Sequence, residues 1–186
     1  MIRPVNLNDT ARIIEIYSPH ILHGVASFEN EVPSIEEFQR RISENTLKFP
    51  WLVYESNGVL AGYAYGSSHK SRCAYEWTAE ASVYVDQQFH RKGVGRALYT
   101  ELFKILKDQG VVNILAGITL PNNSSVTCMK ASALRLRVFS EMWDSKKVNG
   151  GTSAGGKCNC RSRRLPNRSG NLHNFFIYKC HDFFKS

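Results

Sequence analysis

Val83-Tyr84-Val85-Asp86-Gln87-Gln88-Phe89-His90-Arg91-Lys92-Gly93-Val94-Gly95-Arg96-Ala97-Leu98 reads as a strand that passes through a glycine-containing turn into a helix. Residues 78–85 alternate and are rich in β-formers. Residues 95–109 carry Leu98, Leu102, Ile105 and Leu106 on one helical stripe that stops at Gly110. A helix start has unpaired N–H groups, Gly93 and Gly95 allow close approach to backbone, and Arg91, Lys92 and Arg96 lie nearby. Together these would suit a pyrophosphate. The same glycines read equally well as a tight turn with solvated cations around it.

Outward from this turn, the pattern predicts a strand over 1–5. A helix over 9–17 follows a cap at Asn8 or Asp9, with Ala11, Ile14 and Tyr17 at helical spacing. Ser34 and Glu37 form a capping-box pattern ahead of Ile35, Phe38 and Ile42 on one face, and this second helix should end near Asn45. Residues 51–55 and 59–65 are strand-like, and Ser56-Asn57-Gly58 between them supplies the positive φ angles of a hairpin. A further strand is predicted over 111–119. The order of elements describes an α/β domain, a mixed sheet with helices on both faces.

The chain has 186 residues, 42% of them hydrophobic, enough for one core and too few for a second full domain. Its net charge of +8 is unevenly placed. Residues 1–127 hold 12 Lys and Arg against 13 Asp and Glu, whereas 128–186 hold 12 against 3. The basicity therefore belongs to the tail and points to no nucleic-acid partner for the rest. Five cysteines, an odd number, argue against a disulfide framework. Without a signal-peptide start or a long apolar run, a cytoplasmic protein with no membrane partner is expected.

The turn resembles the acetyl-CoA pyrophosphate loop of the GNAT superfamily, whose Arg/Gln-x-x-Gly-x-Gly/Ala pattern is met at shifted spacing by Arg91, Gly93 and Gly95. Upstream, Arg72-Cys73-Ala74-Tyr75-Glu76-Trp77-Thr78-Ala79-Glu80-Ala81-Ser82-Val83-Tyr84-Val85 is similar to a block of the phosphinothricin acetyltransferase family, Arg-x-Ala-Tyr-x-Trp-Thr-x-Glu-x-Ser-Val-Tyr-Val. Downstream, Pro121-Asn122-Asn123-Ser124-Ser125 is similar to that family's Asn-x-x-Ser at the start of the next helix. The resemblance covers residues 1–127. It implies the GNAT (acyl-CoA N-acyltransferase) fold and an enzyme, an N-acetyltransferase moving an acetyl group from acetyl-CoA. The acceptor it implies is the amino group of a small amino acid or analogue such as phosphinothricin or methionine sulfone. It implies acetyl-CoA as cosubstrate, no metal, and a homodimer.

On that resemblance, Val83, Tyr84 and Val85 would offer backbone groups to the pantetheine amides, as an added strand does. Asn122 would contact the pantetheine arm, and Arg91, Lys92, Gly93, Val94, Gly95 and Arg96 would hold the pyrophosphate. An amine must lose a proton to attack a thioester, and a carboxylate on a partly apolar strand can take it, directly or through water. Glu80 is the candidate; its other reading is a solvent-facing strand carboxylate. Arg72 and Tyr75 would bind a substrate carboxylate, and Phe28 and Trp77 would wall the pocket. Trp77 reads equally as core and Arg72 as a surface ion-pair partner. His20, His23, His69 and His90 lack ligand spacing and read as ordinary histidines.

After Asn-x-x-Ser the family continues with Leu-His-Glu and Gly-Phe, and later with Val-Gly-Phe-Lys-x-Gly-x-Trp-x-Asp-Val-Gly-Trp. Here Thr127-Cys128-Met129-Lys130-Ala131-Ser132-Ala133-Leu134 stands instead. The neighbouring reading frame joins the last base of each codon to the first two of the next. It forces Glu from Met129 and Lys130, Val from Met142 and Trp143, Gly from Trp143 and Asp144, and Leu from Asn159 and Cys160. Permitted codons elsewhere complete the family ending. Residues 128–186 therefore read as a frameshifted, basic tail behind a core of 1–127, with the C-terminal strands lost or altered and one sheet edge open. Poor solubility or weak activity would follow, and the chain would then be an impaired acetyl-CoA-binding remnant. The missing segment would also have supplied part of the dimer contact. Cys158, Cys160, His173, Cys180 and His181, flanked by Arg161, Arg163, Arg164 and Arg168, offer a lesser alternative, a zinc and nucleic-acid module. Cys-x-Cys is the wrong spacing for it.

Overall fold

Asn57 and Gly58 adopt φ angles of 51° and 77°, the pair of positive values a two-residue hairpin turn needs. They join β2 (Trp51–Ser56) to β3 (Val59–Ser68), whose register runs from Trp51↔Tyr65 to Ser56↔Val59. The structure is a computed structural model that describes residues 1–22, 29–69, 75–120, 122–131, 165–166 and 172–180; at 119, 120, 130, 131 and the last two stretches it describes backbone only. The other strands are β1 (Ile2–Pro4), β4 (Thr78–Val85), β5 (Asn113–Leu120), β6 (Leu165–Pro166) and β7 (Leu172–Cys180). The sheet order is β1-β2-β3-β4-β5-β7-β6. Neighbours are antiparallel except β4 and β5, which run parallel. Between those two the chain forms a helix, α3 (Val94–Asp108), the crossover that a parallel pair requires.

Helices α1 (Thr10–Leu22) and α2 (Ile35–Thr46) cover one face; α3 and α4 (Asn123–Ala131) cover the other. On the α3 face Leu98, Leu102 and Leu106 bury against Ala61, Ala64, Ala79 and Ala81, whose small side chains let the helix lie close to the sheet. On the opposite face Ile13, Tyr17, Phe38 and Ile42 pack on Trp51, Val53 and Tyr63. Alternation along β4 thus sends Ala79 and Ala81 to α3, and Glu80 and Tyr84 to the α1 side.

Several expectations are corrected. The first cap is Asn6: its side chain accepts from Asn8 N–H and Asp9 reaches back to its N–H, so the capping box sits on a 3-10 turn (Leu7–Asp9) ahead of α1. Helix α1 also runs past Tyr17 and through Pro19 to Leu22, with Ile21 buried. Ser34 does cap α2, but Glu37 turns to Arg40 and Arg41, and Ile35 is exposed. The open edge expected beside β5 is filled by β7, paired from Ile114↔Cys180 to Leu120↔Asn174. Helix α4 crosses the Thr127 boundary, and Met129 beyond it is buried.

Gly62 faces β4 across the β3 ladder, and a Cβ there would lie 2.8 Å from the Tyr84 carbonyl and 3.2 Å from Val85 Cα. Both are backbone atoms, so the strands would have to part. Gly62→Ala is expected to cost about 2 kcal/mol, read as a lower melting temperature by circular dichroism; an unchanged melt would contradict this packing.

Candidate active site

β4 and β5 pair at three positions only, Thr78↔Asn113, Ala79↔Ile114 and Glu80↔Leu115. Past them β4 stays with β3 and β5 stays with β7, so the two strands separate and a fork opens with Glu80 at its base. From Ala81 to Val85 the β4 edge on the fork side has no strand partner among the described residues. Backbone groups there, apart from the Val85 carbonyl that accepts from His90, are available to a ligand's amides.

β4 leads directly to the mouth of the fork. Asp86 N–H donates to the Ala61 carbonyl at 2.9 Å, Asp86 Oδ1 accepts from Gln88 N–H at 2.8 Å, and Asp86 Oδ2 accepts from Arg12 of α1. The turn's entry is thereby fixed from three sides. Arg91 and Gly93 then take left-handed φ angles of 60° and 81°. Alternating such residues with ordinary ones aims successive N–H groups to one side. Gly93 precedes α3 with no side-chain cap, leaving the first-turn amides uncapped by any described side chain. Arg91, Lys92 and Arg96 are exposed around them, although the Lys92 ammonium rests 5.0 Å over the Phe89 ring. At Gly95 a Cβ would meet Cys128 Sγ at 3.2 Å, so glycine is what lets α4 and the start of α3 approach each other. Uncapped amides, flanking cations and an unpaired strand edge are the donors that a pyrophosphate carrying an amide-rich arm would need.

The other predicted residues divide. Asn122 Oδ1 accepts from Ser125 N–H at 3.0 Å and so caps α4. Val85 O accepts from His90 Nε2–H at 3.0 Å. Tyr84 packs edge-on to Tyr17 and stacks on Tyr63 at 5.2 Å. Trp77 is neither core nor beside the open fork: it is 61% exposed, and its carbonyl accepts from Val112 and Asn113 N–H at the closed end. Phe28 and Arg72 lie outside the described residues, as do His23, Cys73 and the side chains of Cys158, Cys160, His173, Cys180 and His181. His69, which the sequence offers no reason to select, sits on Glu80 with Nδ1 2.6 Å from Oε1, and its ring meets Tyr75 edge-on at 5.6 Å. His20, at the C-terminal end of α1, meets Tyr84 edge-on at 5.3 Å, and burial and then the nearby His90 hold its pKa below the ordinary value. No described helix is long and apolar enough to cross a membrane.

Comparison with known proteins gives the family. A family model described as acetyltransferase (GNAT) domain matches residues 2–140. The chain is 38% identical over 130 residues to a phosphinothricin N-acetyltransferase of Streptomyces viridochromogenes, covering 70% of this chain and 71% of that protein. It is 33% identical to the L-methionine sulfoximine/L-methionine sulfone acetyltransferase of Salmonella typhimurium, over 67% and 74%. A solved GNAT phosphinothricin acetyltransferase of Sinorhizobium meliloti in complex with acetyl-CoA superposes with a TM-score of 0.79 at 25% identity, over 97% of this chain and 86% of that one. A Salmonella typhimurium acetyltransferase with acetyl-CoA superposes at 0.81 and 23% identity, over 100% and 96%, a likeness of fold. The family model and these relatives make the chain an acetyl-CoA-dependent N-acetyltransferase. The chain belongs to the GNAT acetyltransferase family.

Proposed function

We propose that this enzyme acetylates the amino group of a small amino acid or analogue of the phosphinothricin or methionine sulfone kind. One observation carries the reading: a carboxylate, Glu80, stands at the base of a fork whose mouth is an uncapped helix N-terminus ringed by cations. The relatives named above support the acceptor class. Acetyl-CoA, when bound, supplies an activated acyl group. The amides at Gly93, Val94 and Gly95 with Arg91, Lys92 and Arg96 bind its pyrophosphate. The β4 edge at Val83, Tyr84 and Val85, together with Asn122, aligns its arm. Glu80 takes the proton from the attacking amine. Arg72 and Tyr75 receive the acceptor's carboxylate, and Phe28 walls its side chain. The setting is the cytoplasm, and the family resemblance supports a homodimer.

Calorimetry with acetyl-CoA and a thiol-release assay over a panel of amino acids and analogues test this. The double variant Arg91→Ala/Arg96→Ala is expected to weaken acetyl-CoA binding roughly tenfold or more, with the larger loss at low salt because exposed charges are screened. Folded protein that does not bind acetyl-CoA would sink the proposal. Binding without thiol release would instead mark an acetyl-CoA binder that no longer turns over, the reading favoured by the departure from the family pattern after Thr127.

A further inference from the structure

We infer that His69 is a positioning residue for the reaction, acting through Glu80; this rests on Glu80 being the base. Ser67 lies directly opposite Glu80 in the β3–β4 ladder, so His69, two residues further on, is the diagonal neighbour on the same face. The contact is short, 2.6 Å from Nδ1 to Oε1. A carboxylate only accepts, so the imidazole carries a proton on Nδ1 and donates from it. Burial shows which partner supports which: the His69 side chain is 13% exposed and that of Glu80 47%. The imidazole is locked behind, with Tyr75 edge-on to it, and the carboxylate is in front. Oε1 is committed to His69, while Oε2 has no hydrogen-bond partner among the described residues and is the oxygen left to receive a proton. A glutamate on a strand has three rotatable bonds; one fixed oxygen removes most of that freedom before substrate arrives.

The test is a kinetic cycle of His69→Ala, Glu80→Gln and the double variant, with His69→Asn as the conservative replacement, each checked for folding by its melt. Asn carries an N–H at the same number of bonds from Cα as Nδ1. His69→Ala is expected to lower kcat about tenfold with KM for both substrates unchanged, and His69→Asn to restore most of it. In the Glu80→Gln background His69→Ala should have no further effect, because a residue that acts through the base has nothing left to position. Long-range 1H–15N spectra of the wild type should show the ring protonated at Nδ1. No turnover in the wild type would remove the proposed function and this inference with it; full kcat in Glu80→Gln would remove Glu80 as the base, and this inference, while leaving the acetyl transfer standing. Loss in Glu80→Gln with full kcat in His69→Ala, additive losses in the double variant, no recovery in His69→Asn, or a ring protonated only at Nε2 would each overturn this inference alone.

Discussion

Glu80→Gln is expected to lower kcat by roughly 10² to 10³ while leaving acetyl-CoA binding in calorimetry unchanged, the range that removal of a general base produces. Glutamine fills the same volume and its amide oxygen can still accept from His69 Nδ1–H, so the cross-strand contact at 2.6 Å need not be lost. What disappears is the ability to take a proton. The groups proposed to bind acetyl-CoA lie elsewhere, on the β4 edge from Val83 and at the α3 N-terminus, so ground-state binding of the cosubstrate has no reason to change. Rate falls without a change in binding when a group acts in the transition state. A retained kcat would move the role to another group on the α1 face. The first to examine would be His20, half-buried beside Tyr84, its pKa held below the ordinary value chiefly by burial. The companion variant His20→Asn distinguishes the two: loss there with full activity in Glu80→Gln reassigns the base.

Elements whose signal is local were legible in the sequence. Asn57-Gly58 has few backbone alternatives, the alternation over 78–85 matches β4, and the leucine stripe over 98–106 ends at Gly110 with φ 85° as a helix C-terminus wants. The turn from Arg91 to Gly95 is readable from its glycines, and the block around Glu80 is what makes it the candidate base. What could not be read depends on pairing between distant segments. The strand pattern carries no mark of where β4 and β5 separate, since that is set by which neighbour each strand keeps. His69 has no motif; its role comes from a register that brings it diagonal to Glu80. Trp77 reads as pocket wall or core on hydrophobicity, yet its backbone is tied to the closed end of the fork and its ring is largely exposed. The cap of α1 was misplaced because Asn6, Asn8 and Asp9 are all capping residues, and only the 3-10 turn between them shows that Asn6 leads.

Ending the chain after Asn171, and so removing β7, is expected to abolish the folded protein. β5 pairs with β4 at three positions and with β7 at seven, so most of its ladder comes from the tail. At a net 0.5–1.5 kcal/mol for each backbone hydrogen bond, a ladder of that length is worth on the order of 5 kcal/mol. That approaches the whole stability of a typical domain. The consequences reach the core, because Ile114, Ala116 and Ile118 of β5 are buried under α3 and depend on the strand staying in place. They reach the site too, since without β7 the β5 arm of the fork has no partner beyond Leu115 and becomes an exposed edge able to pair with another chain. Size-exclusion chromatography and a thermal melt of the truncated protein check this. Aggregation or loss of the cooperative transition would mean that residues 172–180, although outside the family's sequence pattern, close the sheet because a short run of β-forming residues is enough when an edge of matching length awaits it. A truncated protein that elutes without aggregates and keeps the parent's melting temperature would mean that β5 needs no seventh strand. The proposal that the tail is translated out of frame would then extend to its structure, as a passenger on a core that ends with α4.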